Sequence, residues 1–530
     1  MSSQTLQILE GRWKNVCKVI FGKEICKLEE CEDWLGESVD PLSHNRSTIS
    51  GKEVISAPTS YCKGARWLSF DEVDFNKSFP PLSINEVKDI DSLLSAISER
   101  IYYSDNVVFG QSDHIEKCSN INDSHYMYHV GRHGNSKYVA YSAIGRFNED
   151  CFGCNGNGES SFCIKSSSRS FKNTRCFETR MCMHCSGCYY SSGLVDCMDC
   201  LFCFNLRSKR QCVGNLTLGI SKYKQIKEKL VDELVELLSK NKRLPSLIDI
   251  VAKAATITPN STTKTRNEET DKNKIEQAFL DTTRVIFGNP LEGGVDRYSK
   301  WLTRHTRETI YGHSAASGKD LFMPNAVGYP QLPKHRLLSE AEAFELGEKT
   351  RIAEQDAESI SMENAHEKIA GIAFFNTELF EGNNLNNIEC SICFDSINNY
   401  RNSLMFYSKN SAYNFWPRNC DNVFGCDSPF SSSFSINCYS CTNQIRCFEI
   451  DCCGYCSDSY FCHNCEGMRD SMFCFNIKNK KNAIGNFEFD PVEYKKIKNS
   501  IVGQMYDELS SKKDMPWDIY NLACKARTLS

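Results

Sequence analysis

The sequence predicts an α+β protein with two tandem homologous halves. Each half is expected to contain a small mixed lobe, a helical segment, a cysteine-rich β-solenoid and a C-terminal amphipathic capping helix. Three observations lead to this prediction. The chain of 530 residues matches itself at an offset of about 270, most of its 30 cysteines lie in two tracts with a spacing of three, and an amphipathic stripe follows each tract.

The internal match is an ordered series of short motifs, which a chance similarity would not produce. A stretch rich in Thr, Asn, Lys and Glu separates the two copies and is typical of a solvated linker. The matching segments are Val19–Gly22 with Val285–Gly288, Arg175–Glu178 with Arg446–Glu449, and Cys203–Arg207 with Cys474–Lys478. The predicted domains are a mixed lobe at 1–82, helix plus solenoid and capping helices at 83–255, a linker at 256–277, a second lobe at 278–338, and helices plus solenoid and capping helices at 339–530.

The two lobes mix short apolar runs with Gly and Pro, and each contains a Ser-Gly-Lys turn. A helical segment then follows each lobe. Ser83 and Ser339 are each followed three residues later by Glu, which is the pattern of a capping box. Apolar residues at spacings of three and four, from Ile84 to Ile101, predict the first helix.

The cysteine tracts have a period of three, which fits neither a helix nor a simple strand. Residues 118–212 carry twelve cysteines and residues 390–474 carry thirteen, among many Asn, Ser, Asp and Gly residues. Short strands that alternate with tight turns would stack small Cys, Ser and Asn side chains in ladders along an inner face. The tracts therefore predict two β-solenoids.

An amphipathic helix is predicted to close each solenoid, since its end would otherwise expose unpaired strand edges. Asp490 and Pro491 supply an N-cap and a first-turn proline for the second of these helices, with Glu493 as a capping acid. The apolar stripes are Tyr223, Ile226, Leu230, Leu234 and Leu237 in the first helix, and Tyr494, Ile497, Ile501, Met505 and Leu509 in the second.

Composition excludes several classes of protein. No apolar run reaches the roughly 18 residues of a membrane helix, and residues 1–14 lack the pattern of a classical secretion signal. A net charge of −5 lacks the global positive field of a nucleic-acid binder. We expect a cytoplasmic or virion protein whose cysteines are mostly reduced, with protein partners and no membrane partner.

The segment Cys200–Lys209 and its copy at Met472–Lys480 resemble a known family of cysteine-rich repeat proteins. These proteins, of unassigned function, occur in marine phage and candidate-phyla genomes. Their tracts of Cys-x-x-Cys with interleaved Tyr and Phe end in a Cys-Phe-x-Asn-Leu-Arg/Lys-x-Lys element before a helix. The resemblance covers about half of the chain. It implies a β-solenoid fold and implies no particular activity.

Zinc is the sharpest functional alternative for the cysteines, because Cys-x-x-Cys can offer two thiolates to a tetrahedral metal. Comparison of the copies favours structural thiols instead. Cys188, Cys197 and Cys200 match Ser459, Met468 and Ser471, and a ladder accepts such exchanges where a four-ligand site does not. The best metal candidates are Cys182, Cys185, Cys453 and Cys456. A further zinc site is considered at Cys17, Cys26, Cys31 and Cys62, which have no counterparts in the second copy.

Two other clusters are considered. His125, His129 and His133 would share one face of a helix, but the alternating pattern around them favours a strand with exposed histidines. Two basic turns recur in both copies and either bind an anion, nucleic acid or an acidic partner, or are solvated turns. Their residues are Arg207, Lys209 and Arg210, with Lys478, Lys480 and Lys481 in the second copy.

No nucleophile–base pair, nucleotide loop or acid pair stands out, so the sequence predicts no enzyme. The leading hypothesis is a non-catalytic structural scaffold or interaction protein, encoded by a phage and a candidate virion component. The alternative is a zinc-dependent nucleic-acid-associated protein that uses the basic turns. A third hypothesis, an enzyme with its site between the halves, would need a deep cleft lined by residues that differ between the copies.

Overall fold

The protein is described by a computed structural model that covers residues 3–58, 60–82, 89–261 and 270–524. It is a mixed protein of helices and many short strands, as the sequence predicts at this level. The described α-helices are Gln4–Phe21, Glu32–Gly36, Ile90–Ala96, Ile220–Asn241, Leu247–Ala252, Asn273–Phe287, Ser299–Leu302, Glu340–Lys349, Glu354–Ser359, Ala365–Lys368 and Pro491–Lys512.

Two large sheets dominate the described residues, one of 14 strands and one of 10. Neighbouring strands in both run parallel except for the last hairpin of each sheet. The first sheet contains Val108–Phe109, Asp113–Glu116, Ser119–Asn122, His125–Gly134, Lys137–Arg146, Glu149–Phe152, Asn155–Gly158, Ser161–Ile164, Ser167–Phe171, Phe177–Arg180, Tyr189–Ser192, Met198–Leu201, Arg210–Val213 and Leu216–Thr217. The second contains Leu385–Ile388, Ile397–Tyr400, Lys409–Ala412, Asp421–Phe424, Ser433–Tyr439, Phe448–Asp451, Ser457–Tyr460, Arg469–Met472, Lys481–Ile484 and Phe487–Glu488.

Smaller sheets flank these two. One of them is a three-stranded parallel sheet, whose strands alternate along the chain with the first strands of the second large sheet. Its strands are Leu379–Glu381, Ile392–Phe394 and Met405–Phe406, and the remaining strands are Ser43–Arg46, Glu53–Ser56, Trp67–Ser69, Tyr103–Asp105, Thr309–His313, Asp320–Pro324, Leu337–Leu338 and Phe375–Asn376.

Residues twelve apart in the chain are neighbours in the large sheets. Lys137 pairs with Glu149, which in turn pairs with Ser161. In the second sheet Ser457 pairs with Arg469, which pairs with Lys481. The interval between paired residues rises from twelve to thirteen after Ser161, which bridges to Thr174. The first copy therefore has one extra residue here. This extra residue explains why the sequence offset between the copies falls from 272 to 271 along the tract.

Every third residue of the tracts has a left-handed backbone, and the residue after it points into the interior. Met181 and His184 have φ of 49° and 54°, and the next residues, Cys182 and Cys185, are buried. A left-handed residue turns the chain sharply, so four of them per twelve residues bend it around an enclosed interior. This geometry is the physical origin of the period of three.

Long helices cover both sheets through corresponding aromatic contacts. Trp13 of the N-terminal helix packs on Phe152, with ring centres 5.3 Å apart. Phe279 of the helix Asn273–Phe287 packs on Phe424 at the same distance. A tyrosine of each sheet also binds the C-terminal end of the helix that covers it. The Tyr189 hydroxyl donates to the Ile20 carbonyl oxygen at 2.7 Å. The Tyr460 hydroxyl donates to the Ile286 carbonyl oxygen at 2.8 Å.

Amphipathic helices are present at both positions where capping helices were predicted. All five predicted stripe residues of Pro491–Lys512 are buried, and the Asp490 carboxylate accepts from the Val492 amide. In Ile220–Asn241 four of the five are buried, while the last buried position is Leu238 and not Leu237. Each helix ends at a left-handed lysine, Lys242 or Lys513.

The helical segments before the tracts are only partly as predicted. The capping box at Ser339 is present, and its helix runs over Glu340–Lys349. The capping box predicted at Ser83 lies outside the described residues. The first helix is described only over Ile90–Ala96, with Asp89 as its N-cap, so it is shorter than the predicted stripe up to Ile101. The helix Asn273–Phe287 begins inside the predicted linker.

Candidate functional site

The four cysteines proposed as metal ligands lie in the interiors of the sheets. Cys182 and Cys185 are adjacent inward positions of one turn of chain, and Cys453 and Cys456 are the equivalent pair in the second sheet. Their exposed fractions are 2% or less. All four belong to clusters of buried cysteines and aliphatic side chains that fill the interiors.

The inward thiols share one hydrogen-bond pattern. Most donate to the carbonyl oxygen two residues earlier, and many of these also face the carbonyl nine residues later. The Cys182 Sγ lies 3.3 Å from the Arg180 oxygen and 3.7 Å from that of Ser191. For Cys453 the corresponding distances are 3.2 Å to Asp451 and 3.4 Å to Cys462. A thiol in this pattern is a neutral donor that satisfies a buried carbonyl.

Serine makes the same contacts where it replaces cysteine. The Ser459 hydroxyl, at the position of Cys188, donates to the Ser457 carbonyl oxygen at 2.9 Å. The Cys188 thiol donates to the Ser186 carbonyl oxygen at 3.6 Å. Ser471, at the position of Cys200, also donates to the carbonyl two residues earlier, at 2.9 Å. The Cys-to-Ser exchanges therefore preserve the hydrogen bond.

Burial and neighbouring thiols act in opposite directions on the pKa of several interior cysteines. Burial raises the pKa of Cys118 and of Cys420 to about 12. A hydrogen bond with Cys453 lowers the pKa of Cys456. Among the described residues, no group of three or more His, Cys, Asp or Glu side chains has an arrangement that could hold a metal ion. The structure thus brings Cys182 and Cys185 together, and likewise Cys453 and Cys456, without assembling a ligand set around either pair.

The three histidines of the His-x3-His-x3-His motif lie on one strand, His125–Gly134, and face different directions. The His125 ring nitrogen Nδ1 lies 2.7 Å from an Asp113 carboxylate oxygen. The Nδ1 of His129 lies 3.7 Å from Glu32. His133 points inward and burial lowers its pKa to about 3, so it is neutral at physiological pH. The strand was predicted, but His133 is buried and not exposed.

Most of the cations of the basic turns have acidic partners. Lys209 lies 3.1 Å from Glu348, and Arg207 stacks on Phe344 with its Cζ 3.9 Å from the ring centre. In the second copy Lys478 lies 2.6 Å from Glu466, and Lys480 lies 3.1 Å from Glu488. Arg210 and Lys481 are exposed at the start of their strands. These turns pack against the rest of the chain. They therefore have fewer unpaired cations than the sequence suggests.

The N-terminal cysteines do not converge. Cys26 and Cys31 form a disulfide, Cys62 forms another with Cys524, and Cys17 is a buried thiol whose pKa is raised by burial. The second disulfide joins residues 462 positions apart, so the first lobe is covalently attached to the last described residues of the chain. The partner cysteine lies outside the tracts and gave no signal in the sequence.

The contacts at the ends of the two sheets cross between the halves, and sequence reasoning missed them. At the end of the first sheet, the Asn205 side-chain amide donates to the Phe374 carbonyl oxygen at 2.9 Å. The Ile352 amide donates to the Gly214 carbonyl oxygen at 3.0 Å. The covering segment therefore comes from the second half.

The end of the second sheet is covered by the first half in the same way. The Asn476 side-chain amide donates to the Tyr102 carbonyl oxygen at 2.8 Å. The Arg100 guanidinium donates to the Gly485 carbonyl oxygen at 2.6 Å. Asn205 and Asn476, and likewise Gly214 and Gly485, are matching positions of the two copies. We call this paired arrangement the reciprocal junction.

A buried polar network lies beside the second sheet at this junction. His463 and Asp451 are both fully buried, with the histidine Nδ1 2.9 Å from the carboxylate. The Ser104 amide donates to the His463 Nε2 at 2.9 Å, and the Tyr61 hydroxyl donates to Asp451 at 2.9 Å. Burial raises the pKa of the nearby Asp105 to about 7. The network joins residues of both halves through fully buried groups.

Comparisons with known proteins return no relatives. No family model, no curated protein and no solved structure matches the chain. Among the described residues, no helix is both long and apolar enough to cross a membrane.

Proposed function

We propose that the chain is a non-catalytic structural scaffold or interaction protein formed by tandem duplication, with two β-solenoid halves that hold each other closed. The reciprocal junction carries this proposal. Each half covers the end of the other half's sheet, so the single chain mimics a symmetric dimer and presents two related outer surfaces. Such a pair of surfaces suits a protein that binds two similar partners or two copies of one partner.

The twelve-residue register and the recurring contacts support the solenoid and the duplication. Parallel pairing at a constant offset is what stacked turns of a solenoid produce. The matching aromatic contacts Trp13–Phe152 and Phe279–Phe424 occur at corresponding positions of the two copies. The left-handed residues and inward thiols repeat in both tracts. A long ladder of main-chain hydrogen bonds suits an architectural role.

An outer row of the second sheet supplies the candidate binding surface. The residues of this row are twelve apart in the chain, and each has a left-handed backbone. The next residue in the sequence after each of them points inward. Tyr407 and Tyr455 belong to this row with exposed fractions of 59% and 64%. Exposed aromatic rings on a regular polar surface are typical of protein-binding anchors. The row comprises Tyr407, Asn419, Ser431, Asn443 and Tyr455.

The positions of the ionisable groups support a role without catalysis. The carboxyls with strongly raised pKa include Asp105 and Glu449, and burial raises these to about 7 and about 8. Both carboxyls are fully buried. Glu449 accepts a hydrogen bond from the Ile519 amide at 2.9 Å, which is a structural contact. Structural networks perturb pKa values as active sites do. Zinc-dependent nucleic-acid binding gains no specific support from the thiols or from the paired basic turns.

The resemblance to phage-encoded repeat proteins suggests a virion or cytoplasmic location and makes further copies of this chain the first partner to test. Self-association can be measured by sedimentation velocity of the full chain over a wide concentration range. We expect larger species to grow with concentration in the wild type and to be lost in the double variant Tyr407→Ser, Tyr455→Ser.

The control is Val492→Ser, which removes a side chain that is 76% exposed on the helix Pro491–Lys512, outside the row. This control should associate as the wild type does. A wild type that remains monomeric at all concentrations would contradict self-assembly. Turnover in a broad screen of hydrolytic and transfer reactions would contradict the non-catalytic proposal.

A further inference from the structure

A small cavity lies beside the first sheet, where five segments of the chain meet. Its volume is about 30 Å³. Lys165, Glu178 and Arg180 line it from the sheet, together with several hydroxyl groups and the backbone at Gly328. The lining segments are Ser38, Lys165 and Ser167, Glu178–Arg180, Ser246–Ile248, and Val327–Gly328. The last of these belongs to the second half, so the cavity is part of the interface between the halves.

Arg180 faces this cavity with unused hydrogen-bond donors. Its exposed fraction is 3%. The Nε and Nη2 atoms have no hydrogen-bond partner among the described residues, and no described carboxylate lies within 4.0 Å of its guanidinium. Burial lowers its pKa to about 10, which leaves it charged at neutral pH. A buried charge without a counterion is strongly unfavourable, so the site calls for an anion.

The neighbouring carboxylates are occupied by other cations. The Lys165 Nζ lies 3.7 Å from Glu178 and 3.6 Å from Glu37, and donates to the Trp34 carbonyl oxygen at 2.8 Å. Glu37 also pairs with Arg243 at 2.8 Å. Glu178 additionally accepts from the Leu247 amide at 3.2 Å. These contacts leave Arg180 without a carboxylate partner. Its guanidinium lies over the Tyr329 ring, with the Cζ 4.5 Å from the ring centre, and this contact supplies no counterion.

We propose that this cavity binds a small monovalent inorganic anion of about the size of chloride, held by Arg180 and Lys165. A water molecule needs roughly 10–15 Å³, so the cavity has room for one small ion beside the two cations. The hydroxyls of Ser38, Ser167 and Ser246 are available nearby as donors. Bound at this place, the anion links the first sheet to the loop at Gly328 and stabilises the interface.

The second half lacks the equivalent site. Lys165 matches Asn437, whose amide donates to Glu449 at 2.9 Å, and Arg180 matches Asp451, which contacts His463. Glu178 and Glu449 themselves correspond, and each accepts a backbone amide from the segment after its capping helix. The cations are therefore specific to the first copy, and we expect one anion per chain.

Bromide tests the site, because it replaces chloride and can be located by anomalous scattering. We expect crystals of the full chain grown in sodium bromide to show one strong anomalous peak beside the Arg180 guanidinium. Only water at this place would overturn the proposal. This measurement uses the wild type and so stands even if an Arg180 variant fails to fold.

Thermal unfolding gives the matched test in solution. The wild type should unfold at a higher temperature in sodium chloride than in sodium gluconate of equal ionic strength, with an effect that saturates as a binding site does. Arg180→Met should lose this difference. Arg146→Met, which removes an exposed arginine of the same sheet, should keep it. An unchanged chloride effect in Arg180→Met would contradict the assignment.

Discussion

The interiors of the two sheets and the surfaces against the lobes have diverged to different degrees. In the interior, Cys188 and Ser459 donate to equivalent carbonyls, as do Cys200 and Ser471. At the surfaces against the lobes, Arg180 matches Asp451 and Lys165 matches Asn437, so these two cations are absent from the second copy. The interior is constrained by one repeated hydrogen bond, whereas each surface is constrained only by the segment that packs on it. Two sheets of matching sequence can therefore keep the same interior while their outer faces differ in chemistry.

The largest expected effect comes from the matching glycines of the reciprocal junction. A Cβ on Gly214 would lie 2.4 Å from the Ile352 side chain, and one on Gly485 would lie 2.4 Å from Ile97. Both glycines also have left-handed backbones, with φ of 54° and 53°. We expect Gly214→Ala and Gly485→Ala each to lower the free energy of unfolding by about 3 kcal/mol, measured by urea denaturation.

Gly503→Ala is the control for both glycine variants. Gly503 lies within the helix Pro491–Lys512, and its added Cβ would meet no atom within 4 Å. Alanine there should raise the free energy of unfolding by about 0.5–1 kcal/mol because it has the higher helix propensity. Strong destabilisation by only one of the two junction glycines would show that the junction is not reciprocal.

An intermediate effect is expected from pH, through the corresponding carboxyls Glu178 and Glu449. Burial raises their pKa to about 7 and about 8, above their value in the unfolded chain. Near neutral pH the folded state therefore binds more protons than the unfolded state, and stability falls as pH rises. From pH 6.5 to 8 we expect a loss on the order of 2 kcal/mol from these two groups.

The pH dependence also distinguishes the two halves. Glu449→Gln should remove more of the slope than Glu178→Gln, because the pKa of Glu449 is raised further. The lowered pKa of buried His133 acts with the opposite sign, but its contribution declines above pH 6.5 because the unfolded histidine loses its proton there. Urea denaturation at several pH values measures the slope, and stability that rises between pH 6.5 and 8 would contradict the assignment of these carboxyls.

The smallest effect is expected in the interior. Cys200→Ser reproduces the residue of the second copy, so it should cost about 1 kcal/mol or less. Cys182→Ser and Cys453→Ser should behave alike, because their thiols have the same contacts.

Metal analysis by mass spectrometry accompanies these variants. Stoichiometric zinc in the wild type that is lost together with the fold in Cys182→Ser would favour the metal hypothesis over structural thiols.

The sequence predicts features that repeat and misses those that depend on long-range packing. The period of three indicated the inward cysteines, and the stripe from Tyr494 to Leu509 indicated the second capping helix. The twelve-residue turn was not predicted, because cysteine occupies only some inward positions and the rest are Ser, Asn or aliphatic. The unpartnered donors of Arg180 have no local signature at all, since they follow from where Gly328 packs.

The reciprocal junction was missed for the same reason. Its contacts join Asn205 to Phe374 and Asn476 to Tyr102, and no local pattern shows which half a covering segment comes from. The sequence likewise does not predict the disulfide between Cys62 and Cys524, because it offers many other possible cysteine pairs. The internal sequence match predicted symmetry but left open whether each half covers its own sheet or the sheet of the other half.

Lysine cross-linking of the monomer, followed by peptide mass spectrometry, tests the reciprocal junction most directly. Lys209 lies against Glu348, next to Lys349, and Lys478 lies 4.5 Å from the ring centre of Phe75, near Lys77. The reciprocal junction predicts the two links Lys209–Lys349 and Lys478–Lys77 in the isolated monomer. Halves that each cover their own sheet would instead give Lys209–Lys77 and Lys478–Lys349, and that result would contradict the account.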